Sequence, residues 1–293
     1  YYIEPAEQTP EVQAQLKAIT PESLNPEELT LLDPACGSGH ILVEAYDLFK
    51  AIYQERGYRA RDIPMLILRK NLFGLEIDDR AAQLAAFALM MKARADDRRI
   101  FVGNVQPNVV ALQESKGLNA KALANALNTP IVKKPLPPGG EFEFMNDLRI
   151  PLFSKERMGV KGDLAEEDIA ALIELFANAK TFGSLIQVPP ALAEKLPAIG
   201  QRVREVLAHG DLMMQPVAKV LLPLFEQAWV LSQQYDAVVA NPPYMGGRGM
   251  MPALKSFAQE RFADAKSDLF AMFMRRGLEF AKPDAMMSMV AMQ

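Results

Sequence analysis

Cysteine and histidine are almost missing from this sequence: Cys36 stands alone, and there are two histidines in 293 residues. A single cysteine excludes an internal disulfide, and so small a ligand set excludes a usual structural zinc site, so no metal is expected. Long apolar runs are also missing. None approaches the roughly 20 residues a membrane-spanning helix needs, and the N-terminus lacks the basic-then-apolar pattern of a secretory signal. A cytoplasmic location with no membrane partner is therefore expected. Nor is there an excess of positive charge. The formal net charge of −4 argues against a free-standing clamp on nucleic acid, because duplex affinity rests largely on Lys and Arg at the phosphates. A local basic patch remains open; Arg98-Arg99 and Arg275-Arg276 are candidates, with solvated helix ends as the alternative.

What is present is apolar stock. Half the residues are hydrophobic, enough to fill the core of one large domain or two ordinary ones. Residues 1–28 are polar and punctuated by proline, with helical potential around Val12 to Ile19. Residues 29–105 alternate apolar runs with amphipathic stretches. Leu29 to Leu32 reads as a strand, Asp33 to Gly39 as a glycine-rich turn, and Ile41 to Ile52 as a helix of 3.6 period. A second strand ends at Ile77 and is followed by an alanine-rich helix that Asp78 or Asp79 caps. A third strand is expected in "RIFVGN", ending at Asn104. Residues 106–233 lose the strand rhythm and read as a mostly helical insertion, with amphipathic stretches whose apolar faces suit core packing or a docked partner. Residues 234–293 resume the rhythm with "YDAVVA", expected to be fully buried, a helix around Ser267 to Phe280, and a strand in "AMMSMVAM". This pattern predicts an α/β fold with a parallel sheet. The chain starts at Tyr1 without methionine and stops on a strand-like run, so it is expected to be part of a longer protein.

Two stretches carry chemistry. The turn formed by Asp33, Pro34, Ala35, Cys36, Gly37, Ser38 and Gly39 sits where a parallel strand hands over to a helix, the place where such sheets bind ligands. It lacks GxGxxG spacing and a Gly-Lys-Ser/Thr ending, so neither the dinucleotide nor the P-loop reading fits. On its own such a turn can also be an ordinary tight connection. Cys36 has no evident His or Lys partner and reads as a small filler. Glu76, closing the second strand, suits a ribose diol; a solvated strand-end acid is the alternative. Asn104 could meet an adenine edge or simply form a turn.

The other stretch is Asn241-Pro242-Pro243-Tyr244. Drawn at ordinary frequencies, it would arise in a chain this long on the order of once in a thousand. Pro242 and Pro243 cannot donate to a ladder and stiffen the backbone beyond the strand. Asn241, the Pro242 carbonyl and Tyr244 are thereby held as two acceptors and an aromatic face, which suits a planar group bearing an NH₂.

In sequence order, "DPACGSG", "GLEIDD", "GN" at Gly103-Asn104 and "NPPY" resemble the motifs of the gamma group of N6-adenine DNA methyltransferases. The stretches "FANAKTFGSLI" and "YDAVVANPPYMGG" resemble the PglX-type large methyltransferases of BREX phage-defence systems. The resemblance covers most of Leu29 to Gln293. It implies a Rossmann-like class I methyltransferase sheet, incomplete at its C-terminal side, that uses S-adenosyl-L-methionine. It assigns Asp33, Pro34, Ala35, Cys36, Gly37, Gly39, Glu76, Ile77, Asn104 and Asp268 to the cofactor, with Phe270 nearby. Asn241, Pro242, Pro243 and Tyr244 are assigned to catalysis. Asn104 stands where many relatives carry Asp. The implied partners are duplex DNA with a flipped adenine and other defence-system proteins. Two further readings remain: an amino-methyltransferase acting on protein glutamine or RNA, and a cofactor-binding module of a defence complex without turnover.

Overall fold

A computed structural model describes residues 7–19, 23–102, 105–131 and 164–290. Among them, five strands form one parallel sheet: β1 (Leu31–Asp33), β2 (Leu72–Glu76), β3 (Asn108–Ala111), β4 (Tyr235–Ala240) and β5 (Ala281–Met289). The order across it is β3-β2-β1-β4-β5. Helix α1 (Pro10–Ile19) precedes the sheet, α2 (His40–Glu55) and α3 (Ile63–Leu66) join β1 to β2, and α4 (Asp79–Asp96) follows β2. From β3 to β4 run α5 (Ala120–Asn128), α6 (Glu166–Leu175), α7 (Ala179–Phe182), α8 (Pro190–Ala193), α9 (Leu196–His209) and α10 (Met214–Ser232). After β4 come α11 (Pro252–Arg261) and α12 (Leu269–Phe280). The Asp78 side chain caps α4 by accepting from the amides of Arg80 and Ala81. No helix among the described residues is long and apolar enough to cross a membrane.

Side chains alternate faces along a strand, and the two faces have separate cores. Leu31, Leu72 and Val109 pack with α2 and α4 around Leu42, Tyr46 and Leu89. Leu32, Leu75 and Val110 point the other way, into a core with Leu172, Ile199, Val203, Leu221 and Phe225. Helices α6, α9 and α10 thus bury their apolar faces against the sheet and one another. Core packing accounts for those faces, and the segment between β3 and β4 supplies the helical layer on one side. A third cluster, with Leu254, Phe262, Leu269 and Phe273, lies under α11 and α12.

Two local expectations are corrected. "RIFVGN" does not form the third strand: Arg98 to Val102 is turn, and β3 begins at Asn108, inside the segment read as insertion. The apolar run misled because only Ile100 anchors it at 3% exposure, while Phe101 and Val102 are 51% and 83% exposed. The expected strand end at Asn104 lies outside the described residues, as does Gly103. Strand β4 is not buried throughout: Tyr235, Val238 and Ala240 are buried, and Asp236, Ala237 and Val239 are half-buried. Helical cover thins on that face toward the edge strand β5, where Met286 is 71% exposed.

The chain moves from β1 outward through β2 to β3, then returns to place β4 on the other side of β1. Strand order therefore reverses between β1 and β4, and a crevice opens beyond the carboxyl ends of strands at such a point. Leu32 of β1 is in register with Val238 of β4. The turn after Asp33 and the Asn-Pro-Pro-Tyr stretch after Ala240 consequently leave neighbouring strands at the same end of the sheet.

Candidate active site

The turn after β1 is shaped by its own backbone. Asp33 is 1% exposed, and its carboxylate accepts from the Ala35 amide at 3.1 Å. The Cys36 amide donates to the Leu75 carbonyl at 3.0 Å, tying the turn to β2. Gly39, at φ +86°, begins α2. Burial pushes the Asp33 carboxyl up to about 7, the Ala35 amide opposes this, and the nearby Glu76 charge adds to it. Burial also pushes the Cys36 thiol up, with Asp33 and Glu76 contributing, so Cys36 fills space and is not poised as a thiolate.

Glu76 lies at the end of β2 with its carboxylate turned to that loop. It accepts from Gly37 N at 2.8 Å, Ile77 N at 2.9 Å and Asp78 N at 3.0 Å. Ile77 beside it is 46% exposed. The described residue just beyond β3 is Leu112, whose amide donates to the Glu76 carbonyl at 2.8 Å. Gln113 follows, its amide held by the fully buried Gln227 at 2.7 Å and its side chain donating to Asp79 at 2.6 Å.

Across the crevice, Asn241, Pro243 and Tyr244 are exposed and Pro242 is buried. The Tyr244 hydroxyl donates to the Val290 carbonyl at 2.8 Å and lies 3.4 Å from Asn241 Oδ1. Its ring sits 5.8 Å from that of Phe270 at a tilt of 35°. Asp268 caps α12 by accepting from Phe270 N at 2.8 Å, and it pairs across a short antiparallel bridge with Gly246. Leu269 N donates to the Met245 carbonyl at 2.9 Å. The backbone on either side of Asp268 thus holds the loop after β4 against the N-terminus of α12.

Three side chains tied to this region were not expected here. Lys180 donates to the Ile77 carbonyl at 2.6 Å and to Asp79 at 2.8 Å; with Gln113, it holds the Asp79 carboxyl below its ordinary value. The Ser184 hydroxyl donates to the Pro34 carbonyl. Arg276, read as a phosphate contact or a solvated helix end, is neither: it is 5% exposed and donates to the carbonyls of Ser184, Ile186 and Leu231. Its neighbour Arg275 is exposed and faces Asp264 at 3.8 Å. Lys180 and Ser184 lie in "FANAKTFGSLI", a stretch that stood out in the sequence, but only folding brings it over the strand ends.

The profile of the Eco57I restriction-modification methylase family matches residues 70–293, from just before β2 through the Asn-Pro-Pro-Tyr stretch and α12. The chain belongs to this family. A second profile, the DNA-methyltransferase domain of MmeI, matches residues 9–129 and so covers the turn after β1. The chain is 52% identical over its whole length to the adenine-specific methyltransferase BrxX of Escherichia coli O9:H4 (strain HS). It is 33% identical, over 90% of its length, to the adenine-specific methyltransferase PglX of Lacticaseibacillus casei (strain Zhang). It spans 23% and 20% of the lengths of these two curated relatives. The likeness to PglX-type methyltransferases and the Rossmann-like α/β sheet, both read from the motifs, thus hold for this member of the Eco57I family.

Proposed function

We propose that the intact protein transfers a methyl group from S-adenosyl-L-methionine to the N6 amine of adenine in DNA, as the modification enzyme of a BREX-type phage-defence system in the cytoplasm. The observation that carries this is the placement of the two loops, Asp33 to Gly39 and Asn241 to Tyr244, on neighbouring strand ends where the strand order reverses. Residues 29–105 and 234–293 would be the two halves of the catalytic core, with 106–233 between them.

The donor set fits the cofactor. The Glu76 carboxylate reaches the turn at the Gly37 amide, and the turn itself contains no Lys or Arg. An acid there with no basic partner repels a pyrophosphate and favours a cation bearing hydroxyls. Glu76 would take the ribose diol, exposed Ile77 would lie against the adenine ring, and the turn backbone would hold the rest. When bound, S-adenosyl-L-methionine supplies an electrophilic methyl on a sulfonium.

The remaining work falls to the catalytic loop. The adenine amine is a poor nucleophile because its lone pair is delocalised into the ring. Hydrogen bonds from that amine to Asn241 Oδ1 and to the Pro242 carbonyl favour a more tetrahedral nitrogen and free the pair for attack. The stiff Pro242-Pro243 backbone holds both acceptors in place beforehand, so little reorganisation is needed at the moment of reaction. The Tyr244 ring, braced by Val290 and Phe270, offers a stacking face. A base in a duplex must leave its stack to reach this loop, and the ring offsets part of that cost of a few kcal/mol.

The test is a labelled-methyl assay on the protein at its full native length, with duplex DNA, RNA and protein acceptors, followed by chromatography of the digested product. Label is expected in N6-methyladenine from DNA. Label in RNA or protein alone would replace the substrate, and cofactor binding without transfer to any acceptor would favour a non-catalytic module.

A further inference from the structure

We propose that the turn from Lys180 to Ser184, clamped by Arg276, is a strut that sets the cofactor loop in fixed relation to the catalytic loop, with Lys180, Ser184 and Arg276 as positioning residues for methyl transfer. The inference rests on the cofactor reading above and goes beyond it, because none of the three belongs to the loops that touch cofactor or base.

The turn is tied to both strands that frame the cofactor site. At one end Lys180 Nζ donates to the carbonyl of Ile77, the residue after β2 ends at Glu76. At the other the Ser184 hydroxyl donates to the carbonyl of Pro34, the residue after β1 ends at Asp33. Between them Gly183 takes φ +57°, and a Cβ there would stand 3.1 Å from Ile77 Cγ2. So tight a crossing keeps the turn in contact with the end of β2. Ser184 is 2% exposed, so removing its hydroxyl would leave a buried carbonyl in the cofactor loop without that partner.

Arg276 fixes the turn from the catalytic side. Its Nε donates to the Ser184 carbonyl at 3.1 Å, and its Nη2 donates to Ile186 at 2.8 Å and Leu231 at 3.1 Å. Nη1 pairs with Glu279 at 3.0 Å, and the guanidinium lies 3.8 Å over the Phe280 ring. Only the planar fork of arginine reaches three carbonyls and a carboxylate at once; lysine offers a single nitrogen. Arg276 stands two helical turns, about 12 Å, along α12 from Asp268. Asp268 and Leu269 hold the catalytic loop through Gly246 and Met245. One rigid helix therefore carries the catalytic loop at its start and, through Arg276 and Ser184, the cofactor loop further along.

The experiment measures cofactor affinity by calorimetry and methyl transfer by steady-state kinetics in the protein at its full native length. The variants are Ser184→Ala, Lys180→Met, Lys180→Arg and Arg276→Lys, with thermal unfolding recorded for each. Ser184→Ala and Lys180→Met are expected to raise the cofactor Kd and lower kcat, each about five- to tenfold for one lost hydrogen bond, with the KM for DNA unchanged. Lys180→Arg is expected to restore most of the Lys180→Met loss. Ser184→Ala combined with Arg276→Lys is expected to cost less than the sum of the two, since both act through one turn. Lowered melting temperatures with wild-type Kd and kcat in Ser184→Ala and Lys180→Met would overturn the inference and leave the cofactor reading standing. Failure of the wild-type protein to bind S-adenosyl-L-methionine would overturn both.

Discussion

Asn241 is exposed, and its side-chain oxygen has one long contact, 3.4 Å from the Tyr244 hydroxyl, so an incoming amine meets little competition for it. In the role proposed for it, replacing Asn241 with Ala removes an acceptor whose benefit arises in the transition state. Asn241→Ala is expected to lower kcat about a thousandfold while leaving cofactor affinity within about twofold; undiminished turnover would sink the role given to it. Asp33 allows a test by pH. Its folded carboxyl titrates near 7 because of burial, whereas an unfolded Asp titrates near 4. The folded chain therefore binds the proton more tightly, and this stabilisation is complete below about pH 4 and lost as pH rises through about 7. Asp33→Asn has no such proton to lose. Its melting temperature relative to wild type is expected to climb between pH 4 and 7 and then level off, and a difference independent of pH would refute the assignment.

Strand β1 has three residues, and the turn that follows it ends at Gly39, the N-cap of α2. Helices α2 and α4 meet at Gly39, where an added Cβ would lie 2.8 Å from Ala85 Cβ and 2.9 Å from Ala85 Cα. The second of these contacts is with backbone, so a side chain there cannot simply rotate away, and the φ of +86° adds strain. Gly39→Ala is expected to destabilise the fold by about 2–4 kcal/mol, read as a lower denaturation midpoint with unchanged m-value. A wild-type midpoint would show that α4 can shift freely. Element positions followed the pattern where a single physical signal dominated. The strand "YDAVVA" stops at Ala240 because two prolines follow close behind, and α4 starts where Asp78 supplies the missing acceptor. The pattern misplaced β3 because "RIFV" and "NVVA" are both short apolar runs, and only the available slot beside β2 distinguishes them.

Across the whole molecule, the two halves of the site are joined by topology. A cofactor held between β1 and β2 and braced by α12 through Arg276 should stabilise the sheet as a unit. S-adenosyl-L-methionine at a hundred times its Kd contributes about 2.7 kcal/mol. Amides of β1, β2 and β4 that exchange through opening of the whole sheet are then expected to slow about a hundredfold in native-state hydrogen exchange. Slowing confined to the turn after β1 would contradict this coupling. The sequence by itself determined the local parts: the glycine-rich turn, the acid at the end of β2, the stiff Asn-Pro-Pro-Tyr loop and the capped helices. Each follows from backbone geometry or side-chain chemistry within a few residues. Only the tertiary structure decided which distant parts meet. It set the turn after β1 beside a loop some two hundred residues later and laid Lys180 and Ser184 across both strand ends. It also buried Arg276, a residue that local pattern assigns to solvent. The reason is physical: strand order and the burial of a polar side chain depend on partners far away in the chain, and periodicity within a window carries no information about them.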